Sequence, residues 1–307
     1  MSWRGLHLSE PVRLAVKRGQ LWLERDGGDK FTFPLEDMGF IVLDTQQALM
    51  SAALLSACAE YGCLVITTDS RHMPNGSLLP HHSYYRQPET VKAQLALSVP
   101  RQKRLWQNLI RRKIENQAAC LYRYTGSDVS RILTALIPKV KSGDPDNVEG
   151  LASRLYWSAL FSEFRRDHKA EDRRNSLLNY GYALVRAAIA RDLASEGFIP
   201  SLGIHHRSMQ NAFNLADDFI EPWRPIVDAL AFRRAAADPE GTELTRDDRR
   251  AMATIFSERV ELGDGVFALV SALRKSMESL RSYFVSSGKT PLLLPRFPTS
   301  AMPAEEE

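Results

Sequence analysis

The sequence predicts an α+β protein in two parts: a small N-terminal β-sandwich-like domain carrying one helix, then a larger all-α domain. Three observations lead there. Apolar and polar residues alternate through roughly the first 70 positions, broken by turn signals. A turn-rich stretch, "SRHMPNGSLLPHHSYYRQPET" at 70–90, holds three prolines and reads as a linker. Beyond it, apolar residues recur at helical spacing, with no strand signal of comparable quality and no obvious repeat. The expected divisions are 1–72 for the β-rich domain, 73–90 for the linker, 91–285 for the helical domain and 286–307 for the tail.

In order along the chain, "VRLAV", "QLWLER" and "KFTFPL" alternate as half-buried strands do, separated by the turn signals "KRG" and "DGGD". "FIVLD" and "CLVITTD" are continuous apolar runs too short for helices and read as buried strands. Between them "TQQALMSAALLSACAEYG" predicts a helix capped by Thr45 and stopped at Gly62. After the linker, helices are expected at about 89–118, 127–137, 147–167, 174–196, 211–236 and 245–284. The tail, with four prolines from Ser286 onward and an acidic end, is expected to be loose or ordered by a partner.

Composition narrows the class. The chain has 307 residues, 44% of them hydrophobic and 25% charged, which suits a globular protein with a sizeable core. No apolar run approaches the roughly 20 residues needed to span a bilayer. The N-terminus shows no apolar stretch of the kind a secretory signal needs. Three cysteines, none in a CxxC arrangement, argue against a disulfide framework or a zinc–thiolate site and favour the reducing cytoplasm. The net charge of +3 is unevenly spread. "RQKRLWQNLIRRK" at 101–113 carries Arg101, Lys103, Arg104, Arg111, Arg112 and Lys113 with no acid before Glu115. Such a run can neutralise phosphates, or can simply be a solvated helix face.

One stretch concentrates chemistry: "GIHHRSMQNAFNLADDFIEPWRP", residues 203–225. Asn211 can cap a helix on which Asn214, Asp217 or Asp218, and Glu221 share one face. Pro222 and Pro225 should end or kink that helix just after Glu221. Carboxylates at this spacing repel one another, which a divalent cation would relieve, and oxygen-rich ligation with one imidazole suits magnesium or manganese. An exposed acidic face beside a histidine loop is the other reading. Upstream, Asp146 or Asn147 caps a helix with Glu149 in its first turn, where a glutamate ordinarily serves the helix dipole. Asn175, Asn179, Tyr182 and Arg186 form a polar stripe that can line a phosphate channel or make interhelix hydrogen bonds.

Four motifs in order give these residues a family. "FPLEDMGFIVLD", "NVEGLASRLYW", "LLNYGYALVRAAI" and "LGIHHRSMQNAFNLADDFIEPWRPIVD" resemble the motifs of CRISPR-associated protein 1, the integrase subunit of bacterial spacer acquisition. The run "NAFNLADDFIEPWRP" is most similar to the branch found beside RNA-guided single-protein nucleases (type II). The resemblance spans about residues 33–228. It implies metal ligation and catalysis by Glu149, His206 and Glu221, with Asp218 as supporting carboxylate and His205 as an extra neighbour. Glu221 stands where some members have aspartate, and Asp217 has no firm counterpart. It also implies a homodimer formed partly through the N-terminal domain, a helical catalytic domain, and assembly with CRISPR-associated protein 2 around a short DNA duplex.

The implied reaction is a Mg2+- or Mn2+-dependent transesterification joining 3′-hydroxyl ends of short DNA into the CRISPR repeat. No GxxxxGK[ST] phosphate loop is present, in keeping with a reaction that exchanges one phosphodiester for another. Arg207, Arg186, Asn179, Arg104, Arg111 and Arg112 are the expected DNA contacts, and further type II adaptation proteins are possible partners. A stand-alone metal-dependent nuclease or phosphohydrolase, and a non-catalytic DNA-binding scaffold, are the alternatives.

Overall fold

The computed structural model describes residues 4–80 and 86–298. Its N-terminal part runs through β1 (Arg4–Leu8), β2 (Val12–Lys17), β3 (Gln20–Arg25), β4 (Lys30–Pro34), β5 (Met38–Leu43), β6 (Ala48–Met50), α1 (Ala52–Tyr61), β7 (Leu64–Thr68) and β8 (Pro74–Ser77). β2 and β3 form a hairpin whose turn residues Arg18 and Gly19 both have positive φ, as a type I′ turn requires. One sheet has the order β4-β3-β2-β6 and the other β1-β5-β7-β8, giving the expected two-layer β part.

The second sheet is buried on both faces. Ile41 and Leu43 of β5 and Val65 of β7 pack inward against the first sheet and α1. Phe40 and Val42 of β5, with Leu64 and Ile66 of β7, join the core of the helical part instead. The period of two in a strand thus sends alternate residues into two different cores. This explains why "FIVLD" and "CLVITTD" are apolar throughout.

The helical part contains α2 (Gln87–Leu95), α3 (Val99–Thr125), α4 (Val129–Leu136), α5 (Val148–Leu160), α6 (Arg173–Ser195), α7 (Asn214–Phe219), α8 (Arg224–Ala237) and α9 (Arg246–Ala253). A hairpin of β9 (Arg259–Leu262) and β10 (Gly265–Ala268) follows, and then α10 (Leu269–Val285). α6 is buried around most of its circumference, between the second sheet and α8, α9 and α10. At Gly181 α6 crosses α8 so closely that a Cβ would stand 2.5 Å from Val227 Cγ1. α3 packs against α4, α5 and α8.

Several expected elements are divided differently. The helix after Thr45 begins only at Ala52, capped by Ser51 accepting from Leu54 N at 3.2 Å, and it ends at Gly62 with φ +67°. Residues 48–50 instead pair with the edge of β2, so strand pairing overrides their helix preference. The expected 89–118 helix breaks before Pro100, which fits only in the first turn of α3. The 147–167 helix stops at Leu160, where Phe161 turns extended and packs against Phe164 and Phe232. The 245–284 helix contains the β9–β10 hairpin, whose signal is "LGDG" with Gly263 at φ +60° between two alternating tetrapeptides. Within the expected linker, residues 74–77 form β8; residues 81–85 of that linker lie outside the described residues.

Part of the expected tail belongs to the core. Phe297 is buried, and its N–H donates to Asn116 Oδ1 at 2.9 Å. Asn116 Nδ2 in turn donates to Pro222 O at 2.8 Å and Pro295 O at 3.1 Å. The acidic end of the tail lies outside the described residues. Cys58, Cys63 and Cys120 are all free and buried. Among the described residues no helix is long and apolar enough to cross a membrane.

The two parts are joined by a buried charge. Asp44, at the end of β5, is fully buried and meets His7 at 3.3 Å, His72 at 2.8 Å and Arg249 of α9 at 2.8 Å. Burial alone would push its carboxyl up, but these three partners outweigh it and hold the group below its ordinary value. Removing one partner of a buried pair leaves an uncompensated charge, costing about 3 kcal/mol or more. Arg249→Met is therefore expected to lower the unfolding free energy by about 3 kcal/mol in urea titrations. A loss below about 1 kcal/mol would show that the histidines suffice.

Candidate metal and DNA-processing site

Three elements deliver the site from one side of α3. Trp106, Lys113 and Asn116 are separated by seven and three residues, so they line one helix face. Of the basic run, Arg101, Lys103 and Arg104 are exposed. Arg111 donates to Val140 O at 2.9 Å, and Arg112 pairs with Glu115 at 2.6 Å. Lys113 alone turns inward and is nine-tenths buried.

The start of α5 places Glu149. Asn147, at φ +50°, caps the helix by accepting from Gly150 N at 3.1 Å. Asp144 adds a second cap, its two oxygens accepting from Val148 N and Glu149 N at 3.0 Å each. Asp146, the other expected cap, pairs with Lys141 at 2.7 Å. Glu149 then directs Oε1 to Lys113 Nζ at 2.5 Å.

Glu221 reaches the same ammonium from the far side. α7 ends at Phe219, and Glu221–Trp223 form a single 3-10 turn before α8 restarts with Pro225 in its first turn. Pro222 cannot donate to a continuing ladder, which accounts for the break. Glu221 is buried, with Oε2 at 2.5 Å from Lys113 Nζ and Oε1 accepting from Arg224 Nε at 2.9 Å. Burial pushes the Glu221 carboxyl up, but Arg224 and Lys113 outweigh it and bring it down to about 2. Burial likewise favours the neutral amine of Lys113, yet Glu221 and Glu149 outweigh it and keep the ammonium. Arg224 also lies over the Tyr182 ring at 4.5 Å.

The histidine loop is organised by Asp218. This fully buried carboxylate accepts from the backbone N–H of Ile204 at 2.6 Å, His205 at 3.2 Å and His206 at 3.0 Å. Its Oδ1 also meets His206 Nδ1 at 2.8 Å, which leaves Nε2 of that ring facing outward from the pair. The hydrogen bond to Asp218 raises the His206 imidazole above its ordinary value, against burial. Gly203 is required by this packing, since a Cβ there would lie 2.3 Å from His206 O and 2.8 Å from Asp218 Oδ2. His205 stacks on Trp106, centroids 3.9 Å apart and planes 1° from parallel, while His206 meets the same indole edge-on at 5.8 Å. Asn214 closes the loop, donating to Ser201 O at 3.1 Å and Ser208 O at 2.9 Å.

The remaining residues of the sequence reading spread around this centre. Asp217 pairs with Arg186 at 2.5 Å and accepts at 2.5 Å from Asn211, which in turn donates to Asn214 at the end of the histidine loop. Arg186 also donates to Asn211 Oδ1 at 2.9 Å and lies over Phe213. Asn175 and Asn179 both accept from Arg166, at 2.7 and 2.6 Å. Tyr182 donates to Asp228, so the polar stripe of α6 is used in internal hydrogen bonds. Arg207 is exposed and donates to Gln102 Oε1 at 2.8 Å. A groove of about 610 Å3 opens beside His206 and Arg207, with Leu95, Val99, Leu202 and Met209 exposed along it.

Among the described residues no three His, Cys, Asp or Glu side chains are already arranged around one ion position. A cation is nonetheless seated there: the Lys113 ammonium stands 2.5 Å from an oxygen of Glu149 and 2.5 Å from an oxygen of Glu221. The two hard oxygens that hold this stand-in fit the donor chemistry of magnesium or manganese, and His206, whose imidazole is raised in part by the Glu221 charge, offers the free Nε2 of its ring. Two residues essential to this geometry were read otherwise or not singled out in the sequence. Lys113 counted as one of a basic run, and Arg224 was not singled out, although it lies three residues after Glu221.

The fold that carries this site is shared with known proteins. A casposase bound to its integration product superposes with a TM-score of 0.74 at 18% identity, covering 94% of this chain and 92% of that one. A Cas1 protein from Thermotoga maritima gives 0.70 at 17% identity, covering 92% and 97%. The fold is therefore the Cas1 type. The chain itself belongs to the CRISPR-associated protein Cas1 family, whose model matches residues 6–243. It is 38% identical to the CRISPR-associated endonuclease Cas1 of Neisseria meningitidis serogroup C (strain 8013), over 96% of each chain. It is 30% identical to the CRISPR-associated endonuclease Cas1 2 of Saccharolobus solfataricus, over 76% of each.

Behind Arg224, the buried Asp228 accepts from Tyr156 at 3.0 Å and from Tyr182, and burial pushes its carboxyl up to about 7. The folded state thus holds a proton that the unfolded chain releases near its ordinary value of 3.8. This contribution is full below that value and is lost as pH rises through about 7. Asp228→Asn cannot ionise, so its stability relative to wild type is expected to improve between pH 5 and pH 8 in urea titrations. A constant difference across that range would contradict the assignment. Gly203→Ala is expected to keep the fold while displacing the His206 loop, read as loss of the His205–Trp106 stacking contribution to Trp fluorescence. An unchanged emission spectrum would show that the loop absorbs the added methyl.

Proposed function

We propose that this chain is a divalent-metal-dependent DNA integrase and endonuclease of CRISPR adaptation. In this reading a 3′-hydroxyl of a short DNA fragment attacks a phosphodiester of the CRISPR repeat. One phosphorus–oxygen bond forms as another breaks, and the leaving strand keeps the released 3′-hydroxyl, so no external energy source is needed. The same centre cleaves DNA when water takes the place of the hydroxyl.

The observation that carries the reading is the convergence of Glu149 and Glu221 on one cation position, with His206 close enough for the Glu221 charge to raise its imidazole. Glu149, Glu221 and His206 Nε2 would hold Mg2+ or Mn2+. Bound there, the ion would supply Lewis-acid polarisation of the scissile phosphate and stabilise charge on the in-line oxygens. The chain's own contribution is placement. Asp218 fixes the imidazole through Nδ1 so that Nε2 is presented without searching for an orientation. Arg224 holds Glu221 from behind by a bond to Oε1, leaving Oε2 toward the shared position. Trp106 backs the histidine loop by stacking on His205.

DNA affinity would come chiefly from phosphate contacts. Arg207, beside His206, and the exposed Arg104 are open for this role. Arg186, Asn179, Arg111 and Arg112 would bind from positions already braced by internal partners. The relatives' names support nuclease chemistry. Solved structures described as a Cas6-RT-Cas1–Cas2 complex (TM-score 0.68, 18% identity) and a Cas1–DNA complex (TM-score 0.58, 15% identity) have the same fold. They favour work on DNA with CRISPR-associated protein 2; the homodimer, the double-stranded form of the DNA and the cytoplasmic setting are carried over from the sequence reading. The type II setting, with further adaptation proteins, is suggested by the "NAFNLADDFIEPWRP" run.

The test is a strand-transfer assay with a labelled short duplex, a repeat-bearing plasmid and the partner protein, with and without chelator. Joined product should require the divalent ion. His206→Ala and Glu221→Ala should each lower joining by about 100-fold or more with DNA binding retained. Chelator-resistant joining, or full joining by both variants, would overturn the proposal. Cleavage with no joined product would favour a stand-alone nuclease.

A further inference from the structure

The Lys113 ammonium already bridges the two oxygens, Glu149 Oε1 and Glu221 Oε2, that an ion at this site would share. An ion about 2.1 Å from Glu149 Oε1 would lie within about 4.6 Å of Nζ, given the 2.5 Å contact. Two cations that close in a partly buried site repel one another, so lysine and metal compete for the same two oxygens. The present cluster is neutral, with Glu149 and Glu221 set against Lys113 and Arg224. Adding a divalent ion leaves a net charge of +2. Asp144 and Asp218 carry charge nearby, but their oxygens are taken by the amides of α5 and of the histidine loop, so neither is free to take Lys113's place against the ion. The anion that the reaction itself brings is a DNA phosphodiester.

We propose that Lys113 is a built-in counter-ion. It competes with the divalent ion for Glu149 and Glu221, and it passes to a phosphodiester of bound DNA as the ion loads. Metal and DNA then load together, each tightening the other. A lysine suits the task, since its ammonium is a compact point charge on a flexible four-carbon stem that can swing without repacking α3. In the absence of DNA it also keeps two glutamates from facing each other unpaired. The inference rests on the metal-site reading above.

The test measures Mn2+ binding directly, by the electron paramagnetic resonance signal of free Mn2+, with no reaction involved. The full chain is compared with Lys113→Met and Lys113→Gln, with and without a short DNA duplex. Lys113→Gln keeps a neutral hydrogen-bond donor at this position, which guards against a variant that fails to fold. Without DNA, both variants should bind Mn2+ about tenfold or more tightly than wild type. The duplex should tighten Mn2+ binding more in wild type than in either variant. Equal or weaker Mn2+ binding by both variants, or an equal effect of DNA on all three proteins, overturns the inference and leaves the metal site standing. No saturable Mn2+ binding by any of the three overturns the metal site, and the inference with it.

Discussion

Two carboxylates brought from different parts of the chain, one buried and one partly exposed, meet at one cation, the Lys113 ammonium. Glu149 arrives on the first turn of α5 and Glu221 on the turn between α7 and α8, 72 positions apart. Glu221 is buried, and Arg224 engages only its Oε1, so leaving Oε2 without a cation would be costly. α3 must therefore pass between them with the right face inward, and that requirement fixes much else. The same face carries Trp106 to the histidine loop and Asn116 to Pro222 and to the chain returning after α10. A charge, a stacking indole and a hydrogen-bonding amide in register on one helix thus tie four separate segments together.

The histidine loop shows the same economy with a different group. Asp218 binds three successive backbone N–H groups and an imidazole with two oxygens, so its carboxylate is spent on shape rather than left open to solvent. Gly203 is what allows the chain to close around it. The neighbouring Asp217, one residue earlier and so pointing elsewhere on α7, is consumed by Arg186 and Asn211. Two adjacent aspartates on one helix therefore do unrelated work, because successive helical residues face about 100° apart.

Much of the fold was legible. Alternation gave the β2–β4 hairpins, continuous apolar runs gave β5 and β7, and helical periodicity gave α3 and α6. Local signals also placed breaks at Pro222 and Gly62. The misreadings have a common cause. Residues 48–50, 161 and 259–268 have patterns that a helix tolerates, and a partner elsewhere in the chain decided them: the edge of β2, the aromatic cluster around Phe232, and a hairpin closed by Gly263. Likewise Phe297 is in the core because Asn116 and Glu261 receive the returning backbone, which a proline-rich tail does not announce.

For the site, the sequence by itself determined which groups exist and which share a helical turn: Glu149 behind its cap, Asp218 and Glu221 three apart, and a histidine after Gly203. Spacing within one helix is a local property, and the motifs carried the family. Only the tertiary structure decided what each group meets. Lys113 sits in a run of six basic residues where all look alike in charge pattern, and burial against two carboxylates singles it out. A side chain's own residue type sets its charge and reach. Whether that charge faces water, a phosphate or a buried glutamate depends on long-range packing, which no local pattern encodes.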